Sequence, residues 1–213
     1  FKADLASFTI VGVGPGDPSL LTIAAVDAIK KAKVIVFPIS DDNKKSFAAE
    51  IVKKHTKFKK NIPIVFPMAR QDFDPDEIWS HAVEKIIKFI QNGESVVLLC
   101  LGDTSLFASS SNILRIIKHN YPEIITKTVP GISSVSAAAA LNDFDLVKKG
   151  ETLIIKECPS SKSELISLIR ESKGNKTVLA IMKVGKRWNL VRETLKKEDI
   201  INKSLIALRI GMP

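Results

Sequence analysis

One loop of this sequence has the residue types and spacing of a ligand cradle. Gly12-Val13-Gly14-Pro15-Gly16-Asp17-Pro18 follows the β-branched run Phe8-Thr9-Ile10-Val11. A glycine-rich loop at the C-terminal end of a strand is where open α/β sheets bind ligands. Glycine there lets backbone approach the ligand closely and take up positive φ. The spacing does not fit a dinucleotide loop, because the third glycine would fall at position 17, which is Asp17. Pro15 also removes a backbone donor that a pyrophosphate would use. No Gly-Lys-Ser/Thr follows, so the loop is not a phosphate-binding Walker loop. On its own residues it reads either as a cradle or as a structural turn. No Ser/His/Asp pattern suggests nucleophilic catalysis. With three histidines, none near a cysteine, no metal site is expected.

Charge narrows the partners. The net charge is +9, which suits nucleic acid, an anionic membrane surface or a polyanionic small molecule. Lysines gather at Lys44, Lys45, Lys53, Lys54, Lys57, Lys59 and Lys60, opposed by Glu50, and read mostly as a solvated face. An RNA binder would interleave aromatics with such charge. Here aromatics make up 6% of the chain and the lysine stretch holds only Phe47 and Phe58, so no nucleic-acid partner is expected. No apolar run approaches the roughly 18 to 20 residues of a membrane span. Cys100 and Cys158 read as reduced, partly buried thiols of a cytoplasmic protein. Phe1-Lys2-Ala3-Asp4 lacks the pattern of a signal peptide, and both ends read as trimmed.

The elements that must position the loop alternate between short apolar runs and amphipathic stretches, which is α/β layering. Strands are expected at Phe8 to Val13, at Val34 to Phe37 with Pro38 as a stop, and at Ile62 to Phe66 near an edge because of Pro63. Thr22 caps a helix running to Lys31, and Ser46 to His55 reads as helical. Asp74, Pro75 and Glu77 sign the start of a helix that Gly93 ends, with Trp79, Val83, Ile86, Ile87 and Ile90 on its apolar stripe. Trp79 therefore reads as core. Ser95 to Leu101 reads as a central strand and Ile113 to Ile117 as part of a helix. Tyr121-Pro122-Glu123 is the expected linker, dividing an N-terminal α/β domain (1–122) from a C-terminal one (123–213). The second domain reads as a strand to Val129, a small-residue helix from Ser136 to Ala140, and a strand from Thr152 to Lys156. A helix capped by Ser161-Lys162-Ser163-Glu164 and ended at Gly174 follows, then a strand from Thr177 to Met182. A helix around Trp188 to Lys196 and a final strand from Ser204, apolar over Leu205 to Ile210, complete it.

Gly12 to Thr22 resembles the opening motif of the tetrapyrrole methylases. Three further segments occur in the family's order: Leu101-Gly102-Asp103-Thr104-Ser105-Leu106-Phe107, Val129-Pro130-Gly131-Ile132-Ser133-Ser134, and Met182-Lys183-Val184-Gly185. Two positions depart from the pattern. Thr104 stands where many members have proline, and Phe107 stands where tyrosine is common.

The resemblance implies two α/β domains of the class III methyltransferase fold, with S-adenosyl-L-methionine folded in the cleft between them. By motif, Pro15, Gly102, Asp103 and Leu106 would meet the cofactor, and Ala207 would offer backbone to the adenine edge. Ser133 and Ser134 would cap their helix, contact the cofactor, or do both. Met182 would cover the adenine or fill the core. Asp103 would hold cofactor polar groups or cap the following helix, and it stands beside water and a substrate carboxylate as a candidate proton acceptor. The implied acceptor is an anionic tetrapyrrole, precorrin-2 methylated at carbon 20. Gly14, Arg70 (just after Phe66-Pro67-Met68-Ala69) and Lys183 are expected on the acceptor side, with Lys186 behind, and the net charge would form a basic trough for it. A homodimer is also implied. Alternatives within the fold are another tetrapyrrole position or an RNA- or diphthamide-directed relative. Outside catalysis, the alternative is a module that binds S-adenosylmethionine without turnover.

Overall fold

The apolar runs assemble as parallel strands in the computed structural model, which describes residues 6–40, 45–57, 59–66, 75–173 and 176–212. Five strands form one sheet: β1 (Ser7–Gly12), β2 (Val34–Ile39), β3 (Lys60–Val65), β4 (Val96–Cys100) and β5 (Ile125–Val129). Their order is β3-β2-β4-β1-β5, and every neighbouring pair is parallel. Alternate side chains leave opposite faces of a strand, so this sheet feeds two cores. Phe8, Ile10, Val34, Val36, Val96 and Leu98 pack with helices α3 (Pro75–Gln91) and α4 (Ser110–Asn120). Val11, Ile35, Val97 and Leu99 pack with α1 (Ile23–Lys31) and α2 (Phe47–Val52). Coverage on both faces explains why β4, the central strand, reads as a continuous apolar run. Trp79 belongs to the first core, edge-on to Phe66 with ring centroids 4.9 Å apart.

Local chemistry starts the helices where expected. The Thr22 hydroxyl accepts from the Ala25 amide at 3.1 Å, and Ser46 accepts from Ala49 at 3.4 Å. Asp74 lies outside the described residues. Pro38 does not stop β2, because the strand continues to Ile39. The reason is the direction its missing N–H would point. The Ile39 carbonyl accepts from Phe66 on the β3 side, so Pro38 faces the β4 side, where pairing ends at Val36 with Leu98. Pro63 sits on the edge strand β3, as its type requires.

The chain forms two compact units, Phe1–Ser134 with Arg209–Pro213, and Val135–Leu208. The boundary therefore differs from the expected 122/123. Tyr121-Pro122-Glu123 is only the turn into β5, and β5 pairs with β1 from Ser7–Ile125 to Val11–Val129. The helix α5 (Ser134–Ala140) begins at the true boundary.

The second unit holds the parallel pair β6 (Thr152–Glu157) and β7 (Thr177–Met182), with α6 (Lys162–Ser172) and α7 (Trp188–Lys197) over it. Leu165, Ile169, Val191 and Leu195 are its core with Cys158. Ser161 caps α6 as expected, accepting from Glu164 at 3.2 Å. The expected final strand is absent: residues 204–208 make no pairing with β6 or β7, and Leu205, Ile206 and Leu208 are exposed. An apolar run becomes a strand only with a ladder partner. Among the described residues no helix is long and apolar enough to cross a membrane.

Glu198, just past α7, clasps α6 by accepting from Arg170 at 3.0 Å and Lys173 at 3.1 Å. Hydrogen bonds from Arg170, then Lys173, hold its carboxyl below the ordinary value. A carboxylate held low stabilises the fold above the unfolded value of about 4.3, and that contribution disappears as pH falls through the folded value. Thermal melts between about pH 6 and pH 3 should therefore show a smaller acid-induced drop for Glu198→Gln than for the wild type.

Candidate functional site

Three loops emerge side by side at the C-terminal ends of β4, β1 and β5. The chain leaves β1 for α1 on one face of the sheet and leaves β4 for α4 on the other. Adjacent parallel strands whose connections depart in opposite directions define the crevice where open α/β sheets hold ligands. The glycine loop and the Gly102-Asp103 loop flank that crevice. They are tied together directly: the Gly14 N–H donates to the Gly102 carbonyl at 3.2 Å, and the Gly102 N–H to the Gly14 carbonyl at 2.8 Å. Both residues hold positive φ, 78° and 75°, a backbone that costs an L-residue about 1–2 kcal/mol.

The third loop closes on the other two without side chains. A Cβ on Gly12 would stand 2.5 Å from the Gly131 nitrogen and 2.9 Å from the Gly102 oxygen. A Cβ on Gly131 would collide with the Gly102 oxygen and lie 2.7 Å from the Gly12 carbonyl carbon. Asp103 fastens this contact. Its Oδ2 accepts from the Gly131 N–H at 3.0 Å, and its Oδ1 accepts from the Ser105 N–H at 2.8 Å and from the Ser105 hydroxyl. Burial pushes the Asp103 carboxyl up. The Ser105 hydroxyl and the amides of Ser105, Gly131 and Thr104 outweigh that and hold it below its ordinary value.

Asp103 is thus a bracket between loops. It does not cap the following helix, since Ser109 takes the N-cap position of α4. Its occupied oxygens also make it a poor proton acceptor. Neighbouring Cys100 donates weakly to the Asp103 carbonyl, and burial raises its thiol, so it is no nucleophile either.

The structure gathers most of the expected residues in the first unit. Gly14 and Pro15 are buried in the first loop, Leu106 is half-buried after Asp103, and Ser133 and Ser134 stand at the start of α5. Met182, Lys183 and Ala207 belong to the second unit. Met182 ends β7 half-buried, and its carbonyl accepts from the Cys158 N–H at 2.8 Å. Lys183 is exposed with φ 55°, its carbonyl accepting from Arg187 at 2.8 Å. Ala207 lies exposed in irregular backbone, not on the strand assigned to it. Arg70 lies outside the described residues.

One feature lies outside what the sequence pattern shows: the Arg209–Met212 turn packs on the first loop, where a Cβ on Gly16 would stand 2.5 Å from the Ile210 oxygen. Lys33 and Lys60 lie at the starts of β2 and β3, and Lys59 donates to the Lys30 carbonyl at 2.8 Å. Those ends lie a strand's length, about 20 Å, from the glycine loops. Lys30, Lys33, Lys59 and Lys60 therefore do not line this crevice.

Such a site is walled by backbone and short of acids and bases, so it suits holding a ligand in one pose more than proton chemistry. Gly131→Ala should fold poorly or not at all, because backbone blocks the new methyl on two sides. Asp103→Ala should lower stability by about 1 kcal/mol by removing the acceptor of the Gly131 and Ser105 amides, and Ser105→Ala by less. Urea denaturation measures both.

Comparison with known proteins extends the same pattern along the chain. The sequence profile of the Tetrapyrrole (Corrin/Porphyrin) Methylases matches residues 7–213. A Methanocaldococcus jannaschii protein named "Probable cobalt-precorrin-2 C(20)-methyltransferase" is 37% identical over 145 residues, covering 68% of this chain and 61% of that relative. The uroporphyrinogen-III C-methyltransferase of the same organism is 30% identical over 205 residues, 93% of this chain and 78% of the relative. Among solved structures, cobalt precorrin-4 methyltransferase, a cobalamin biosynthetic enzyme, superposes with a TM-score of 0.69 at 18% identity, over 93% of this chain and 77% of that one. With the match running from β1 through the crevice loops to the last turn, the chain belongs to the tetrapyrrole (corrin/porphyrin) methylase family.

Proposed function

We propose that this chain transfers a methyl group from S-adenosyl-L-methionine to a ring carbon of a carboxylated tetrapyrrole in cobalamin biosynthesis, namely carbon 20 of precorrin-2, giving precorrin-3A. The observation that carries the reading is the glycine-walled crevice at the β1–β4 switch point, fastened by Asp103. Identity with the relative named for cobalt-precorrin-2, 37%, supports a precorrin-2-type acceptor over uroporphyrinogen III, whose methyltransferase is 30% identical across more of the chain.

The residues present fit the donor. At Gly102 an added Cβ would meet nothing within 4 Å, so its backbone is open to a ligand's close approach, while Gly12 and Gly131 let the loops beside it pack together. Pro15, Gly102, Asp103, Leu106, Ser133 and Ser134 would hold it, with Gly14 toward the acceptor. Bound there, S-adenosylmethionine supplies an already activated methyl on a sulfonium. What remains for the chain is alignment, and held geometry alone is worth about 7–11 kcal/mol of barrier. Pro15 stiffens the first loop. Asp103 fixes the second loop against the third, and it acts in this scheme as a positioning residue. Proton removal from the ring carbon then falls to water or a substrate carboxylate.

The test is incubation of the purified chain with S-adenosylmethionine and freshly made precorrin-2, or with uroporphyrinogen III, followed by product mass. A gain of one methyl on precorrin-2, with matching S-adenosylhomocysteine, is expected. Methylation of uroporphyrinogen III alone would move the acceptor, and cofactor binding without any methyl gain would sink catalysis on tetrapyrroles.

A further inference from the structure

The loop after β4 exposes apolar surface where a solvated turn would be polar. Leu101 is 41% exposed and Phe107 is 38% exposed, one on each side of Asp103 in sequence. Phe107 also holds φ 51°. The other non-glycine residues at positive φ among those described are Asp143, Lys176, Lys183, Asp199 and Arg209, all polar or charged. A bulky aromatic is disfavoured in this region, which glycine, asparagine and aspartate occupy more readily. Such strain persists only where surrounding contacts over-determine the backbone, and it gathers at ligand sites.

The first half of this loop is fixed: the Asp103 bonds to Ser105 and Gly131, with the Gly14–Gly102 pair, pin it to the loops after β1 and β5. A pinned loop that displays a ring in a costly backbone state points to a use for the ring.

We propose that Phe107, together with Leu101, forms an apolar contact for the flat face of the tetrapyrrole acceptor, an inference that rests on the function proposed above. A tetrapyrrole presents conjugated, apolar faces and carries its carboxylates at the rim. Aromatic rings recognise such faces by offset stacking, and aliphatic side chains extend the contact. The glycine cradle offers no comparable apolar area, because it is made of backbone.

The experiment compares wild type with Phe107→Asn, which suits left-handed backbone but lacks the ring, and with Phe107→Tyr, which keeps the ring. Sirohydrochlorin, the oxidised form of precorrin-2, is titrated by absorbance, and S-adenosylmethionine by calorimetry, on the same preparations. Phe107→Asn should bind sirohydrochlorin at least about tenfold more weakly, as loss of a buried aromatic contact implies. Phe107→Tyr should stay within about twofold. Neither variant should lose affinity for S-adenosylmethionine, and Phe107→Asn should melt no lower than wild type. Equal sirohydrochlorin binding by Phe107→Asn and wild type overturns the assignment while leaving the proposed function intact. A parallel loss of S-adenosylmethionine affinity overturns it in favour of a cofactor contact. A wild type that binds no tetrapyrrole overturns both readings.

Discussion

The first unit is organised by a contact that contains no side chain but one. Gly12, Gly102 and Gly131 bring the ends of three parallel strands within van der Waals reach of one another, and the Asp103 carboxylate closes the gap to the Gly131 amide. Parallel strands leave their neighbours about 4.8 Å apart in the sheet, so loops leaving them need small residues to converge. Glycine at positions 12 and 131 satisfies that constraint, Gly102 instead supplies the positive φ of its turn, and the sheet order β4-β1-β5 places the three side by side. The two cores on either face of the sheet hold the strands in that order.

This arrangement puts electrostatics to structural use. A carboxylate that accepts from several donors is more stable ionised and less able to take a proton. At Asp103 those donors come from its own loop and from the loop after β5, so one charge sets the distance between them. Four of the chain's lysines, Lys30, Lys33, Lys59 and Lys60, lie near the opposite ends of the strands. Net charge alone therefore does not tell where an anionic substrate would sit.

Much of this was legible in the sequence because its causes are local. Thr22, Ser46 and Ser161 cap the helices they precede, the Val83 to Ile90 stripe faces a core, and Pro63 marks an edge. The failures share a cause, which is that pairing partners are not written locally. Pro38 was misjudged because only the sheet order reveals which neighbour its ring faces. Residues 123–134 were placed in the wrong unit because the β1–β5 ladder joins residues far apart in sequence. Leu205 to Ile210 has the composition of a strand and no ladder to join. The Asp103–Gly131 bond was invisible for the same reason, although both residues stood in recognised motifs.

Several disagreements between local preference and observed structure gather around the crevice, although Pro38 and the unpaired Leu205 and Ile206 show others elsewhere. Around the crevice, backbone packs on backbone with no side chains between, a carboxylate is spent on fastening loops, and an aromatic occupies left-handed backbone at Phe107. Of these, the left-handed aromatic is unfavourable for stability taken alone. Their coincidence at one switch point of the sheet is what a site shaped for close ligand contact requires, and a turn serving only to connect strands would need none of them.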